Sequence, residues 1–139
     1  MAAFTLSAEP RPTVSSIKQL FEFLSDFGNF KSILPDDKVE NFTYDKDSCS
    51  FNIKGITPMS IRLAEKKPYE TLFFSSEGLS KFNFKLRVNF KGEAEQTGTS
   101  AVEMQGDLNP FILKMAEKSL LALVNSMNQK LSQLQIQTP

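Results

Sequence analysis

The sequence contains no histidine and no tryptophan, and a single cysteine, Cys49. Without histidine the chain lacks the commonest acid–base side chain and the commonest metal ligand. One cysteine excludes an internal disulfide, and neither a Cys/His cluster nor a calcium-loop pattern is present, so no metal and no cofactor are expected. A lone cysteine fits a reducing compartment, and a cytoplasmic location is the expectation. Net charge is absent as well, because 16 Lys plus Arg balance 16 Asp plus Glu. A partner held mainly by charge, such as nucleic acid or an anionic membrane, is therefore not expected. No run approaches the ~20 apolar residues needed to cross a bilayer, which argues against stable membrane insertion. The opening MAAFTLSAEPRPT has no basic region followed by an apolar run, so no signal peptide is expected.

What the chain has in quantity is phenylalanine, thirteen in 139 residues. That length is most simply one domain, residues 1–139, with an aromatic interior. The stretch that organises the rest runs from Asn109 to about Gln135 and predicts one long amphipathic helix. Asn109 caps its free N–H groups, and Pro110 suits the first helical position. Leu113, Ala116, Leu120, Leu123, Met127, Leu131 and Leu134 recur at steps of three and four. Phe111, Met115, Leu121 and Val124 widen that stripe. A helix of this length is ~40 Å long and must bury its stripe against something large.

The preceding chain supplies the surface. Phe4, Leu6 and Ala8 alternate with Thr5 and Ser7 as a short strand, ended by Pro10 and Pro12. Thr13 is the expected cap of a helix through Val14, Ile17, Leu20, Phe21 and Leu24. A second short helix runs through Phe27, Phe30, Ile33 and Leu34 to Pro35, with Gly28 as the expected break between the two. From Val39 the period becomes two: Phe42 and Tyr44, then Cys49, Phe51 and Ile53, then Met59, Ile61 and Leu63, then Thr71 to Ser75. Asp45 to Ser48, Gly55 to Pro58, and Gly78 mark the turns. In KFNFKLRVNFK, Phe82, Phe84, Leu86, Val88 and Phe90 face one way and the polar residues the other, as in a sheet with one dry side. Thr97-Gly98 turns the chain into a strand with Val102, Met104 and Leu108. The order is strand, helix pair, about six strands, long helix: an α+β antiparallel meander whose dry face the terminal helix covers.

This layout resembles the START-like, helix-grip superfamily, also termed SRPBCC. That group includes birch-pollen-allergen-like proteins, START lipid-transfer domains and polyketide cyclase/dehydratase-like proteins. The segments that carry the resemblance are AFTLSA; VSSIKQLFEFLSDFGNF closing on Leu34-Pro35; EKKPYETLFF; Thr97-Gly98-Thr99 before a strand ending in Asn109; and the terminal helix. It covers essentially the whole chain and lies in layout more than in a sharp motif. The resemblance implies a curved seven-stranded antiparallel sheet wrapped around the C-terminal helix, two short helices after the first strand, and a hydrophobic cavity between sheet and helix. It also implies binding of lipids, sterols, polyketides or hormones, with catalysis in a minority of members.

Register and the helical stripe place Phe51, Ile53, Met59, Ile61, Leu63, Leu72, Phe74, Phe82, Phe84, Leu86, Met104, Phe111 and Met115 inward. Tyr44 is the one polar-tipped residue in phase with them. The expected ligand-binding set is Tyr44, Phe51, Ile53, Ile61, Leu63, Phe74, Phe82, Phe84, Leu86, Met104, Phe111 and Met115. Two readings of these positions stand: a greasy cavity for an apolar guest, or rings that fill the core. The resemblance favours the cavity, as a fold-level analogy. The Tyr44 hydroxyl bonds either a guest or a backbone group. No inward Asp or Glu pair is visible, so the primary expectation is non-catalytic binding of a hydrophobic small molecule or lipid. A polyketide cyclase/dehydratase-like enzyme is the alternative, and a filled-core adaptor for a protein partner is the third reading. The basic row Lys81, Lys85, Arg87 and Lys91 lies opposite the aromatics of its own strand, with Glu65 and Glu103 nearby, and reads as a solvated sheet surface.

Overall fold

Alternating side chains set the sheet, and its register decides which of them meet. The structure is a computed structural model that describes residues 2–53, 58–76 and 83–136. Its strands are β1 (Ala2–Ser7), β2 (Arg11–Pro12), β3 (Val39–Tyr44), β4 (Ser48–Ile53), β5 (Pro58–Lys67), β6 (Thr71–Ser76), β7 (Phe84–Lys91) and β8 (Thr99–Leu108). Helix α1 (Ile17–Leu24) and a 3₁₀ helix (Phe27–Ile33) follow β2, and α2 (Pro110–Gln133) follows β8. The curved antiparallel sheet runs β1-β8-β7-β6-β5-β4-β3, with β2 paired to β8 beyond β1. The six strands from β3 to β8 form the expected meander. The first strand closes the sheet on the far side of the last.

Strand β7 keeps its alternation: Phe84, Leu86, Val88 and Phe90 are buried. The sequence pattern starts this strand at Lys81, but Lys81 and Phe82 lie outside the described residues, as do the turns at Gly55 and Gly78. Strand β5 extends four residues past Leu63, with a register shift between Leu63 and Glu65 where it pairs with β6. Strand β2 is too short to leave a periodic signal in the sequence. Arg11 and Pro12 continue the β1 side of the sheet, opposite Ser100 and Thr99, and at such an edge a proline need not supply a ladder donor. The β3–β4 turn is held by Asp45, whose Oδ1 accepts from the backbone N–H groups of Asp47 and Ser48 at 2.8 and 2.9 Å. The β7–β8 connection needs glycine at Gly98, where a Cβ would overlap the Lys91 carbonyl oxygen.

The cap of α1 is Ser16, not Thr13. The Ser16 hydroxyl accepts from the Gln19 N–H at 3.2 Å, and the Gln19 side chain accepts from the Ser16 N–H at 3.1 Å. This reciprocal pairing satisfies two otherwise free helix-end donors. Thr13 instead ties the approach segment to the sheet: its hydroxyl donates to the Ser15 carbonyl and accepts from the Gly98 N–H, both at 2.9 Å. Val14 is consequently outside the helix and half exposed. The break after α1 falls at Ser25 and Asp26, and Gly28 lies inside the 3₁₀ helix that Asp26 caps.

Helix α2 starts as the sequence indicates, with Asn109 accepting from the Phe111 N–H at 2.9 Å and Pro110 in the first turn. It buries Ala116, Leu120, Leu123, Val124, Met127 and Leu131. Its main backbone contacts are with β8, β1, the 3₁₀ helix and β2. Beyond its end, the chain is latched to the start of α1. Ser15 donates to the Leu134 carbonyl at 2.7 Å and accepts from the Ile136 N–H at 2.9 Å.

Candidate ligand-binding site

The dry face of the sheet is built from cross-strand rows. Leu63, Phe74, Leu86, Met104 and Leu6 stand opposite one another across β5, β6, β7, β8 and β1. Leu72, Val88 and Val102 form the adjacent row, and Phe84, Gly106 and Phe4 the row on the other side. On β4 and β5, Phe51 faces Met59 and Cys49 faces Ile61. Pleating turns alternate residues to one side, so each row presents a continuous apolar strip.

Seven of the expected lining residues are brought onto this face and buried: Phe51, Ile53, Ile61, Phe74, Phe84, Leu86 and Met104. Leu63 is half-buried and packs against the same core. Phe82 lies outside the described residues. Three expectations require correction. Tyr44 is 59% exposed. It sits on β3, the edge strand, after an irregularity between Glu40 and Thr43 where Asn41 adopts a positive φ of 56°. There its ring rests against Gly28 and lies 6.0 Å from Phe42. Phe111 and Met115 are 80% and 83% exposed. A helix has one side to give to a sheet, and α2 gives the side carrying Ala116, Leu120, Leu123 and Met127. Phe111 and Met115 fall on the opposite side.

Two lining residues are not assigned to the site by sequence pattern. Phe27 and Phe30 of the 3₁₀ helix set their rings edge-on to Phe74, with centroids 5.9 and 5.4 Å away. Edge-to-face contact is the favoured aromatic geometry, and it caps the middle of the sheet with aromatic edges. The spacing Phe27–Phe30 shows a helical face but not which strand it meets.

The polar content of the interior is small and satisfied. Ser100 donates to the Asn128 side-chain oxygen at 2.9 Å, and the Asn128 amide donates to the Glu9 carbonyl at 2.9 Å. On the other face of the sheet, Ser50 and Ser60 share a hydrogen bond of 2.7 Å. Burial, with a smaller push from Asp45, drives the Cys49 thiol from its ordinary 9.0 up to about 12. A thiol held neutral in this way is a poor nucleophile. Among the described residues no three His, Cys, Asp or Glu side chains gather as a metal site.

Among the described residues the outer face of the sheet is polar, with an aromatic exception on β6. Phe73 on β6 lies beneath two cations, the Arg87 guanidinium 5.1 Å and the Lys67 ammonium 5.7 Å from its centroid. The opposition of charges and aromatics inferred for β7 holds for that strand alone. Glu103 stands opposite Arg87 on β8, as a compensating charge. An open hollow of about 440 Å³ lies elsewhere, between Pro35–Asp37 and the Ser126, Gln129, Lys130 and Gln133 side of α2.

No protein-family model and no curated protein matches the sequence. Solved structures do match. Norcoclaurine synthase from Thalictrum flavum superposes with a TM-score of 0.67 at 10% identity, over 94% of this chain and 85% of that one. A START superfamily protein from Mycobacterium smegmatis gives 0.63 at 11% identity, over 91% and 96%. A protein from Thermus thermophilus gives 0.65 at 14% identity, over 93% and 94%. Identities this low speak to architecture alone. A meander closed by its own first strand, two short helices after that strand and a terminal helix along the dry face together give this chain the START-like, helix-grip fold.

Proposed function

We propose that residues 1–139 act as a single cytoplasmic domain that binds a hydrophobic small molecule or lipid between the sheet and α2, without catalysing a reaction. One observation carries this reading. The main contacts of α2 fall on β8, β1, β2 and the 3₁₀ helix, whereas the dry faces of β4, β5, β6 and β7 carry Phe51, Ile61, Phe74, Phe84 and Leu86. The helix is seated at one side of a curved apolar surface. An apolar, aromatic-rich surface facing a helix suits a guest held by burial rather than by charge. The satisfied serine and asparagine groups and the neutral Cys49 thiol leave little for proton transfer. The buried free thiol also fits a reducing compartment. Norcoclaurine synthase, a neighbour in fold, has been captured in complex with dopamine and hydroxybenzaldehyde. It supports a small aromatic or apolar guest here by analogy of fold.

The test is a native mass spectrum and organic extract of the purified full chain, followed by titration with the apolar fluorophore anilinonaphthalene sulfonate. The expected result is a retained apolar mass or saturable probe binding. Phe84→Ala, in the row beside Phe74 and Leu86, is expected to change the probe affinity. Its stability cost is ~3–5 kcal/mol, typical of a buried Phe truncation. A chain that carries no apolar molecule and binds no probe would overturn the reading.

A further inference from the structure

The same helix that covers the sheet carries a second apolar surface that no described residue covers. Phe111, Ile112 and Met115 are 80%, 51% and 83% exposed. Large apolar side chains so open, adjacent on one helix, are unusual on a soluble surface. Phe111, Lys114, Met115 and Lys118 follow at i, i+3, i+4 and i+7, so two apolar and two basic residues form one contiguous face. Both lysines are exposed, and neither forms an ion pair among the described residues. Glu117, the one acidic residue in these turns, follows Lys114 at i+3 and borders the face on one side, which leaves two lysines to one glutamate there. The patch therefore combines bulky apolar groups with local positive charge, although the whole chain is neutral.

We propose that this face docks on an anionic lipid surface, with Phe111 and Met115 entering the headgroup–acyl boundary and Lys114 and Lys118 pairing with lipid phosphates and carboxylates. Charge decides the occupant. A second copy of the chain would bring the same two lysines to an isologous contact, where like charges oppose each other. An anionic membrane offers both partners the face needs: hydrocarbon for the apolar groups and negative charge for the ammoniums. The attachment is peripheral, since no described helix is long and apolar enough to cross a membrane. It rests on the outer side of α2 and goes beyond the proposed binding of a guest on the inner side.

Flotation of the full chain with vesicles tests it. Phosphatidylcholine vesicles are compared with vesicles that also contain phosphatidylserine. The chain is expected to float with the anionic vesicles and to be released as salt screens the charges. Lys114→Gln with Lys118→Gln is expected to lower vesicle affinity about fivefold per lysine, roughly 25-fold together. Phe111→Ser with Met115→Ser is expected to abolish flotation while leaving the circular dichroism unchanged. Failure to float with either vesicle, equal flotation of all variants, or a dimer that the serine pair dissociates without any vesicle binding would each overturn the proposal. Retention of an apolar molecule by chains that ignore vesicles would overturn this inference and leave the proposed guest standing.

Discussion

Cys49 shows how burial governs a single residue. Its thiol is 1% exposed and pushed up to about 12, chiefly by loss of water. Iodoacetamide at mildly alkaline pH is therefore expected to alkylate Cys49 only after denaturation, which a mass shift with and without urea reads directly. The linkage has a definite sign. The folded state holds the thiol proton more tightly than the unfolded chain does, so this contribution to stability is complete below pH 9.0 and declines as pH rises toward about 12. Alternation in Ser50-Phe51-Asn52 makes the burial of Cys49 legible. The exposure of Tyr44 is not legible: it pairs with Cys49 on the dry side, but β3 is the edge of the sheet, and nothing in Asn41-Phe42-Thr43-Tyr44 announces that no further strand or helix among the described residues covers it.

At the scale of elements, periodicity locates α2 almost to the residue but overstates how much of its circumference is covered. Apolar residues at Phe111, Ile112, Met115 and Leu121 lie alongside the buried series, and pattern alone merges the two into one broad stripe. The structure separates them, which gives a sharp contrast for chemical denaturation. Leu120→Ala, in a wholly buried position, is expected to cost ~2–5 kcal/mol. Met115→Ala, on the open side, is expected to stay within about 0.5 kcal/mol of the parent chain. The Ser16–Gln19 cap is present in the sequence as S-x-x-Q, in competition with Thr13. Both fit a cap locally, and only the tether from Thr13 to Gly98, far along the chain, separates them. The pairing of Phe27 and Phe30 with Phe74 is invisible in sequence for the same reason: it depends on how an element docks, not on its own spacing.

Over the whole molecule, the order of strands is readable from turn spacing, whereas the pairing of the first strand with the last is not, because no local pattern records which strand a distant segment joins. The ends of the chain meet at Ser15, which bonds both Leu134 and Ile136. Ser15→Ala is expected to lower stability by ~0.5–1.5 kcal/mol per bond, because it leaves two partly buried backbone groups without this partner. Amide exchange should then accelerate at both the start of α1 and the end of α2. The placement of β1 has a further consequence for how the protein is made. Its sheet partner is β8, so β1 leaves the ribosome about a hundred residues ahead of that partner and has nothing in this sheet to pair with meanwhile. Closure across that span is entropically costly and slow. The nascent chain must therefore carry an unpaired, strand-prone segment while the strands between β1 and β8 are made, and this interval is when aggregation or chaperone capture should be most pronounced.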